Sequence, residues 1–178
     1  MNSFLWIAIL CAGLAWALST GWVSTGWADD GMSDAAKRAK VEELYSGYKR
    51  EFPDVQDIEP TEAMRLVQEG KAIFIDVRDE KEQNVSMLPS AVTEKEFLKD
   101  PYRYRGLTLI GYCTISYRSG KLAEMLKPRG ITLLNLKGGL LAWVHAGGKL
   151  YDRNGETHRI HVYGRQWDLA PKGYEAVW

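Results

Sequence analysis

Apolar residues recur along this chain in two rhythms. Three nearly continuous runs, Ala72 to Val77 (AIFIDV), Leu107 to Tyr112 (LTLIGY) and Ile131 to Leu136 (ITLLNL), have the length of strands buried on both faces of a parallel sheet. A shorter stretch, Val55 to Glu59, is read as extended. Between the runs the apolar residues take helical spacing. Ala63, Leu66 and Val67 form a stripe in the segment from Thr61 to Gln68, which Pro60 starts and Gly70 stops. Leu122, Met125 and Leu126 do the same after Ser119, and Leu140 to His145 is a short helix ended by Gly147 and Gly148. Residues 79–101 are polar and broken by Pro89 and Pro101, with one short helix expected at Glu94 to Leu98. Strands alternating with helices predict an α/β fold: an open, mainly parallel central sheet with helices on both faces and right-handed crossovers.

The ends of the chain follow other patterns. Ser33 or Asp34 is placed to cap a helix whose apolar positions are Val41, Leu44, Tyr45, Tyr48 and Phe52, and Pro53 ends it. The first 28 residues carry no charged side chain, and Phe4 to Leu18 is an apolar run with the length of a signal-peptide core. Gly26 and Ala28 are small residues where a signal peptidase would read them, just before Asp29. This reading exports the protein to the periplasm or cell envelope. The alternative is an uncleaved anchor: no Lys or Arg precedes the run, and residues 4–27 together are long enough for membrane attachment. An anchor followed by Lys37, Arg38 and Lys40 would favour a cytoplasmic domain. The expected organisation is a signal peptide or anchor at 1–28, a helical segment at 29–54, the main domain at 55–150 and a C-terminal extension at 151–178.

Composition narrows the function. With 178 residues, 46% hydrophobic and 26% charged, the chain is ordinary globular protein. Lysine plus arginine balances aspartate plus glutamate at 23 each, with no basic run, so nucleic-acid binding is not expected. Cys11 lies in the leader, which leaves Cys113 alone in the folded part and excludes an internal disulfide. Cys113 falls between the run Leu107 to Tyr112 and the helix after Ser119. There, loop N–H groups and the positive end of the helix dipole converge, which favours a thiolate and binds anions. A charged pair, Asp76 and Arg78, stands at the end of the first strand, where parallel sheets place their ligand crevice. It either supports the site or is structural, with Arg78 reaching Glu82 or Asp79 to pin the loop; the structural role is the expectation.

Four landmarks in order, IDVRDEKE, LPSAV, YCTISYRS and NLKGGLLAW, resemble those of the rhodanese-like family over roughly residues 55 to 150. The resemblance implies a sulfurtransferase in which Cys113 is the catalytic cysteine. It would take a sulfane sulfur from thiosulfate or a related small anionic donor and pass it to a thiol, cyanide or a protein acceptor. Thr114, Ile115, Ser116, Tyr117 and Arg118 would complete the substrate-binding loop and Ser119 would open the helix, with Arg118 adding a fixed positive charge for the dianion and the persulfide. No metal or other cofactor is implied. An ordinary thiol is only a few per cent ionised at neutral pH, so a cradle that favours the anion needs no separate base. Relatives of the same fold that act on phosphate or arsenate esters place one more residue between cysteine and arginine than the four found here, and the shorter loop suits sulfur. The alternative function is a rhodanese-like module without turnover, binding a partner or acting as a redox-sensing thiol.

The chain also departs from the family pattern. Ser86-Met87-Leu88-Pro89-Ser90-Ala91 stands where many members read Gly-His-Ile-Pro-Gly-Ala, and Ser116 holds a loop position often given to glycine. A side chain there must tolerate the loop's backbone angles. Tyr117 is expected to roof the site partly. In the extension, Asn154-Gly155 is a turn and Thr157 to Trp167 is strand-like, with Tyr163, Trp167, Tyr174 and Trp178 docking on the domain. On such a strand His158 and His161 point to opposite faces, a poor metal pair, and both are read as surface histidines.

Overall fold

The computed structural model describes residues 31–178, so the expectations for the leader, with Cys11, Gly26 and Ala28, lie outside the described residues. Ser33 caps the first helix, α1 (Asp34–Lys49), its side chain accepting the Ala36 N–H. Then come β1 (Asp57–Ile58), α2 (Pro60–Gln68), β2 (Ala72–Asp76), the single turn α3 (Glu80–Gln83), β3 (Val92–Thr93) and α4 (Glu94–Lys99). The central unit is β4 (Thr108–Tyr112) and α5 (Tyr117–Leu126), followed by β5 (Leu133–Leu136) and α6 (Gly139–His145).

The five strands pair in the order β1-β5-β4-β2-β3, all parallel. Successive strand side chains point to opposite faces, and the two faces bury different clusters. Phe74, Ile110, Tyr112 and Leu136 pack with Val41 of α1, Ala63 of α2 and Leu140, Leu141, Trp143 and Val144 of α6. Ile75 and Leu133 pack on the other face with Phe97 of α4 and Leu122, Ala123 and Leu126 of α5. The sheet is therefore covered on both sides, as the unbroken apolar runs of β2, β4 and β5 require. Among the described residues, no helix is long and apolar enough to cross a membrane.

The extension belongs to the core. Residues 150–157 form the hairpin β6 (Leu150–Asp152) and β7 (Gly155–Thr157), with Met87 and Tyr151 exchanging backbone hydrogen bonds of 2.8 and 2.9 Å. The expected long strand from Thr157 to Trp167 is only β8 (Arg159–His161), which pairs in parallel with β9 (Glu175–Val177). A 3₁₀ turn at Arg165–Trp167 lies between them. Ile160, Val162, Leu169 and Ala170 are buried in the cluster of the first face. His158 is exposed as expected, but His161 is not a surface histidine: the short strand turns it inward, where it is buried.

Candidate functional site

The chain leaves β4 at Tyr112 and enters α5 at Tyr117, so residues 113–116 form a tight loop against the first turn of the helix. Helix geometry leaves first-turn N–H groups without helical partners, and they open toward this loop. Cys113, a free thiol, is 2% exposed. Its carbonyl accepts the Leu140 N–H at 2.9 Å and that of Thr114 accepts the Leu141 N–H at 3.2 Å, tying the loop to the start of α6. Gly139 makes this approach possible. It has φ +59°, and a Cβ there would lie 2.4 Å from the Cys113 carbonyl oxygen and 2.8 Å from the Ile115 nitrogen. No side chain fits.

Ser116 adopts the left-handed conformation, φ 81° and ψ −6°, that the glycine of the family pattern would take freely. Hydrogen bonds hold it there. Its hydroxyl donates to the Leu136 carbonyl at 2.6 Å, and its own carbonyl accepts from Asn135 Nδ2 at 3.2 Å. Asn135 Oδ1 also accepts from Ser119 Oγ at 2.6 Å, and Ser119 Oγ lies 3.9 Å from the Cys113 sulfur. One β5 side chain thus braces both the loop and the helix it enters.

Arg118 faces a partner that the sequence reading assigned elsewhere. Its Nη1 and Nη2 donate to the two carboxylate oxygens of Glu82 at 2.6 and 2.8 Å. Glu82 is fully buried, and it also accepts the Asp79 N–H at 3.0 Å and the Thr114 hydroxyl at 3.4 Å. Burial opposes the charge on both groups. For Glu82 it is outweighed by the hydrogen bond from Arg118, the Asp79 N–H and the nearby guanidinium charges, and the acid stays below its ordinary value near 4.5. For Arg118 the bonds to Glu82 and the charge of Cys113 outweigh burial and keep it firmly protonated. His161 Nδ1 lies 3.8 Å from Glu82 Oε1 without a hydrogen bond, and burial lowers its basicity below the ordinary value of 6.5.

Above the loop is a pocket of about 300 Å³ lined by Tyr48, Cys113, Thr114, Ile115, Tyr117, Arg118, Tyr163 and Trp167. Tyr48 comes from α1, while Tyr163 and Trp167 come from the extension. Tyr48 stacks on Trp167 with ring centres 6.4 Å apart and tilts against Tyr117 at 5.1 Å. Phe52 backs Tyr117 at 5.5 Å, and the Arg118 guanidinium lies 5.7 Å from the Tyr163 ring centre. Burial and the charge of Cys113 raise the Tyr48 phenol above its ordinary value of 10.0. Tyr117 is one wall among several.

The loop residues Cys113 to Arg118 are thus together, with Ser119 behind them. Asp76 and Arg78 are not among the residues that line the pocket. Arg78 does not reach out to Glu82 or Asp79 but folds back on Asp76, with Nε–Oδ1 2.9 Å and Nη2–Oδ2 2.7 Å, and donates to the Ser86 carbonyl at 2.6 Å. Tyr112 OH donates to the same aspartate at 2.5 Å. The strand end holds both side chains inside, where pairing with each other is the way to satisfy two charges. A wider surface groove bordered by Arg78, Gln83, Met87 and Lys95 lies elsewhere and does not contain Cys113. Among the described residues no cluster of His, Cys, Asp or Glu is arranged to hold a metal.

Glu82, Asn135, Gly139, Tyr163 and Trp167 are the site's structural members that sequence reasoning did not place. Glu82 had a signal, since Asp79-x-x-Glu82 is the pattern of a capping box at a helix start. The aromatic pair was visible only as an aromatic-rich extension.

A family model described as the rhodanese-like domain matches residues 59–146. The uncharacterized protein slr1261 of Synechocystis is 32% identical over 94 residues, covering 51% of this chain and 52% of that protein, so the chain spans about half the length of this curated relative. A rhodanese-like domain protein from Staphylococcus aureus is 26% identical, covers 50% of this chain and 91% of its own, and has a TM-score of 0.44. A thiosulfate sulfurtransferase from Pseudomonas aeruginosa is 15% identical, covers 76% of this chain and 26% of its own, with a TM-score of 0.48.

Proposed function

Residues 59–146 belong to the rhodanese-like domain family, and from that premise we propose that the protein is a sulfurtransferase carrying a sulfane sulfur on Cys113. The observation that carries the reading is Cys113 at the floor of a pocket, in a loop that leads directly into the first turn of α5. In the first step the Cys113 thiolate attacks the outer sulfur of a thiosulfate-type donor. The donor's S–S bond breaks, its electron pair leaves on sulfite or the corresponding sulfinate, and a cysteine persulfide anion remains. In the second step a nucleophilic acceptor such as cyanide or a thiolate takes the terminal sulfur and the thiolate returns. The helix dipole and adjacent N–H groups favour the anionic forms throughout, and no step requires a metal or cofactor. The sequence of residues 1–28 supports placing this chemistry in the cell envelope by export, the alternative being a membrane-anchored domain whose flanking Lys37, Arg38 and Lys40 favour the cytoplasmic side.

The second reading, a binding or redox-sensing module without turnover, draws on one observation: Glu82 engages both terminal nitrogens of Arg118. Intact-mass measurement of the full-length protein after incubation with a sulfane-sulfur donor separates the two. The expected result is a gain of one sulfur atom that Cys113→Ser abolishes and that cyanide or a thiol discharges. An adduct that no acceptor removes would favour the module. Labelling that survives Cys113→Ser in a protein that also carries Cys11→Ser would overturn both.

A further inference from the structure

The walls and the charge of the pocket bear on which donor it takes. Thiosulfate is a small, strongly hydrated dianion, and a site built for it would present uncommitted positive charge close to the thiol. Arg118 is the only cationic residue among those lining this pocket, and its two terminal nitrogens are held by a buried carboxylate at 2.6 and 2.8 Å. The pair is close to neutral as a unit. The remaining lining is largely aromatic, with Tyr48, Tyr117, Tyr163 and Trp167 surrounding a volume of about 300 Å³. That is the size and character of a pocket for a small organic molecule, apolar walls with a few polar groups fixing orientation. A compact inorganic dianion would leave most of it unfilled. Tyr163 borders the site and is 66% exposed, so its ring keeps surface to offer a bound body.

We propose, resting on the sulfurtransferase reading, that the preferred donor is an organic sulfane-sulfur compound with a flat apolar body, of the aryl thiosulfonate type, whose ring occupies the pocket between Tyr48, Tyr163 and Trp167. The reaction balances without any further reagent. The Cys113 thiolate attacks the terminal sulfur of the thiosulfonate, the S–S bond breaks, and the aryl sulfinate leaves with the electron pair. One anion replaces another on each side, and the reacting complex holds one negative charge fewer than it would with thiosulfate. The Arg118–Glu82 pair then acts as a specificity element, lowering the site's attraction for dianions while Arg118 remains protonated beside the sulfur.

The test compares benzenethiosulfonate, methanethiosulfonate and thiosulfate as donors to the full-length protein, reading loading of Cys113 by intact mass and turnover to cyanide as kcat/KM. The methyl compound keeps the reacting group and lacks the ring. The expected order is benzenethiosulfonate first, with an advantage over the methyl compound of about tenfold or more from aromatic contacts. Trp167→Leu and Tyr163→Ala should each raise KM for the aryl donor severalfold and affect the other two donors much less, which narrows the gap. Tyr163→Ala alters an exposed ring and keeps the test usable should Trp167→Leu fail to fold. If the three donors load equally, or the variants weaken all three alike, the inference is overturned while the sulfurtransferase reading stands. If no donor loads Cys113, both fall.

Discussion

The floor and the walls of the pocket are built from different interactions. The floor is a lattice of directed hydrogen bonds: Ser116 to Leu136, Asn135 to Ser116 and Ser119, Leu140 to Cys113, and Arg118 to Glu82. Together the bonds join the loop and the start of α5 to β5, α6 and α3. The walls are rings in van der Waals contact at centroid distances of 5.1 to 6.4 Å, contributed by α1, α5 and the extension. A directed lattice tolerates little displacement, because a buried polar group that loses its partner costs roughly 1–3 kcal/mol. Ring contacts are individually weak and adjust to what lies between them. The floor is suited to fixed chemistry and the walls to selection among reactants.

Substitutions break or sharpen that contrast. The largest effect is expected at Gly139. Alanine there would meet backbone atoms of the loop at 2.4 and 2.8 Å in a left-handed conformation, so Gly139→Ala should cost about 3 kcal/mol in chemical denaturation and slow sulfur loading about a hundredfold. Wild-type stability and loading rate would show that the floor yields to an added side chain. Next is Glu82→Gln, which leaves Arg118 with only the exposed Asp79 carboxylate, 3.9 Å away, as countercharge. Because the Arg118 side chain is 27% exposed and water offsets part of the loss, destabilisation of about 2 kcal/mol is expected.

Acid should reveal the same carboxylate. Since the Glu82 pKa is lowered in the fold, its stabilisation is fully present above the ordinary value near 4.5 and is lost as pH falls through the depressed one. A milder decline begins earlier. Burial lowers the basicity of His145 and His161 below 6.5, so the unfolded chain takes up protons first as pH drops through that value. Urea midpoints measured from pH 8 down to pH 3 should show both stages. His161→Asn should remove part of the first stage, and Glu82→Gln should reduce the second.

Smaller effects separate two of the three serines that stand where the family pattern has glycine. Ser90 and Ser116 are the described non-glycine residues with positive φ, 55° and 81°. Ser90→Gly should raise stability by roughly 1 kcal/mol by relieving the left-handed strain. Ser116→Gly gains the same relief but gives up the hydrogen bond to Leu136, so thermal denaturation should find it neutral or slightly destabilised. The smallest change is expected in the walls, where Tyr163→Ala should move stability by less than about 0.5 kcal/mol. A large loss there would mean that the walls hold the fold together as the floor does.

These contrasts also explain what could be read from the sequence. The sheet, its helices on both faces and the loop at Cys113 follow from apolar runs and local spacing, which act within a few residues. The partners of Arg118 and Arg78 were out of reach because one pairing is chosen among several acidic residues near the β2 end. Glu82 lies 36 positions from Arg118, while Asp76 and Arg78 meet inside the fold. His161 was misplaced for a related reason: a three-residue strand was read as a longer one, and its inward face depends on β9, which local pattern does not reveal. Tyr163 and Trp167 join Tyr48 across more than a hundred residues, a meeting that only the closed fold defines.

The bond between Ser116 and the backbone of β5, with Asn135 beside it, has a consequence for how this sequence can drift. A glycine at 116 needs no bracing, whereas a serine there depends on the Leu136 carbonyl and on Asn135 holding the loop in register. Serine at 116 and asparagine at 135 should therefore be inherited together among descendants of this lineage. Loss of the asparagine should come more readily where position 116 holds glycine.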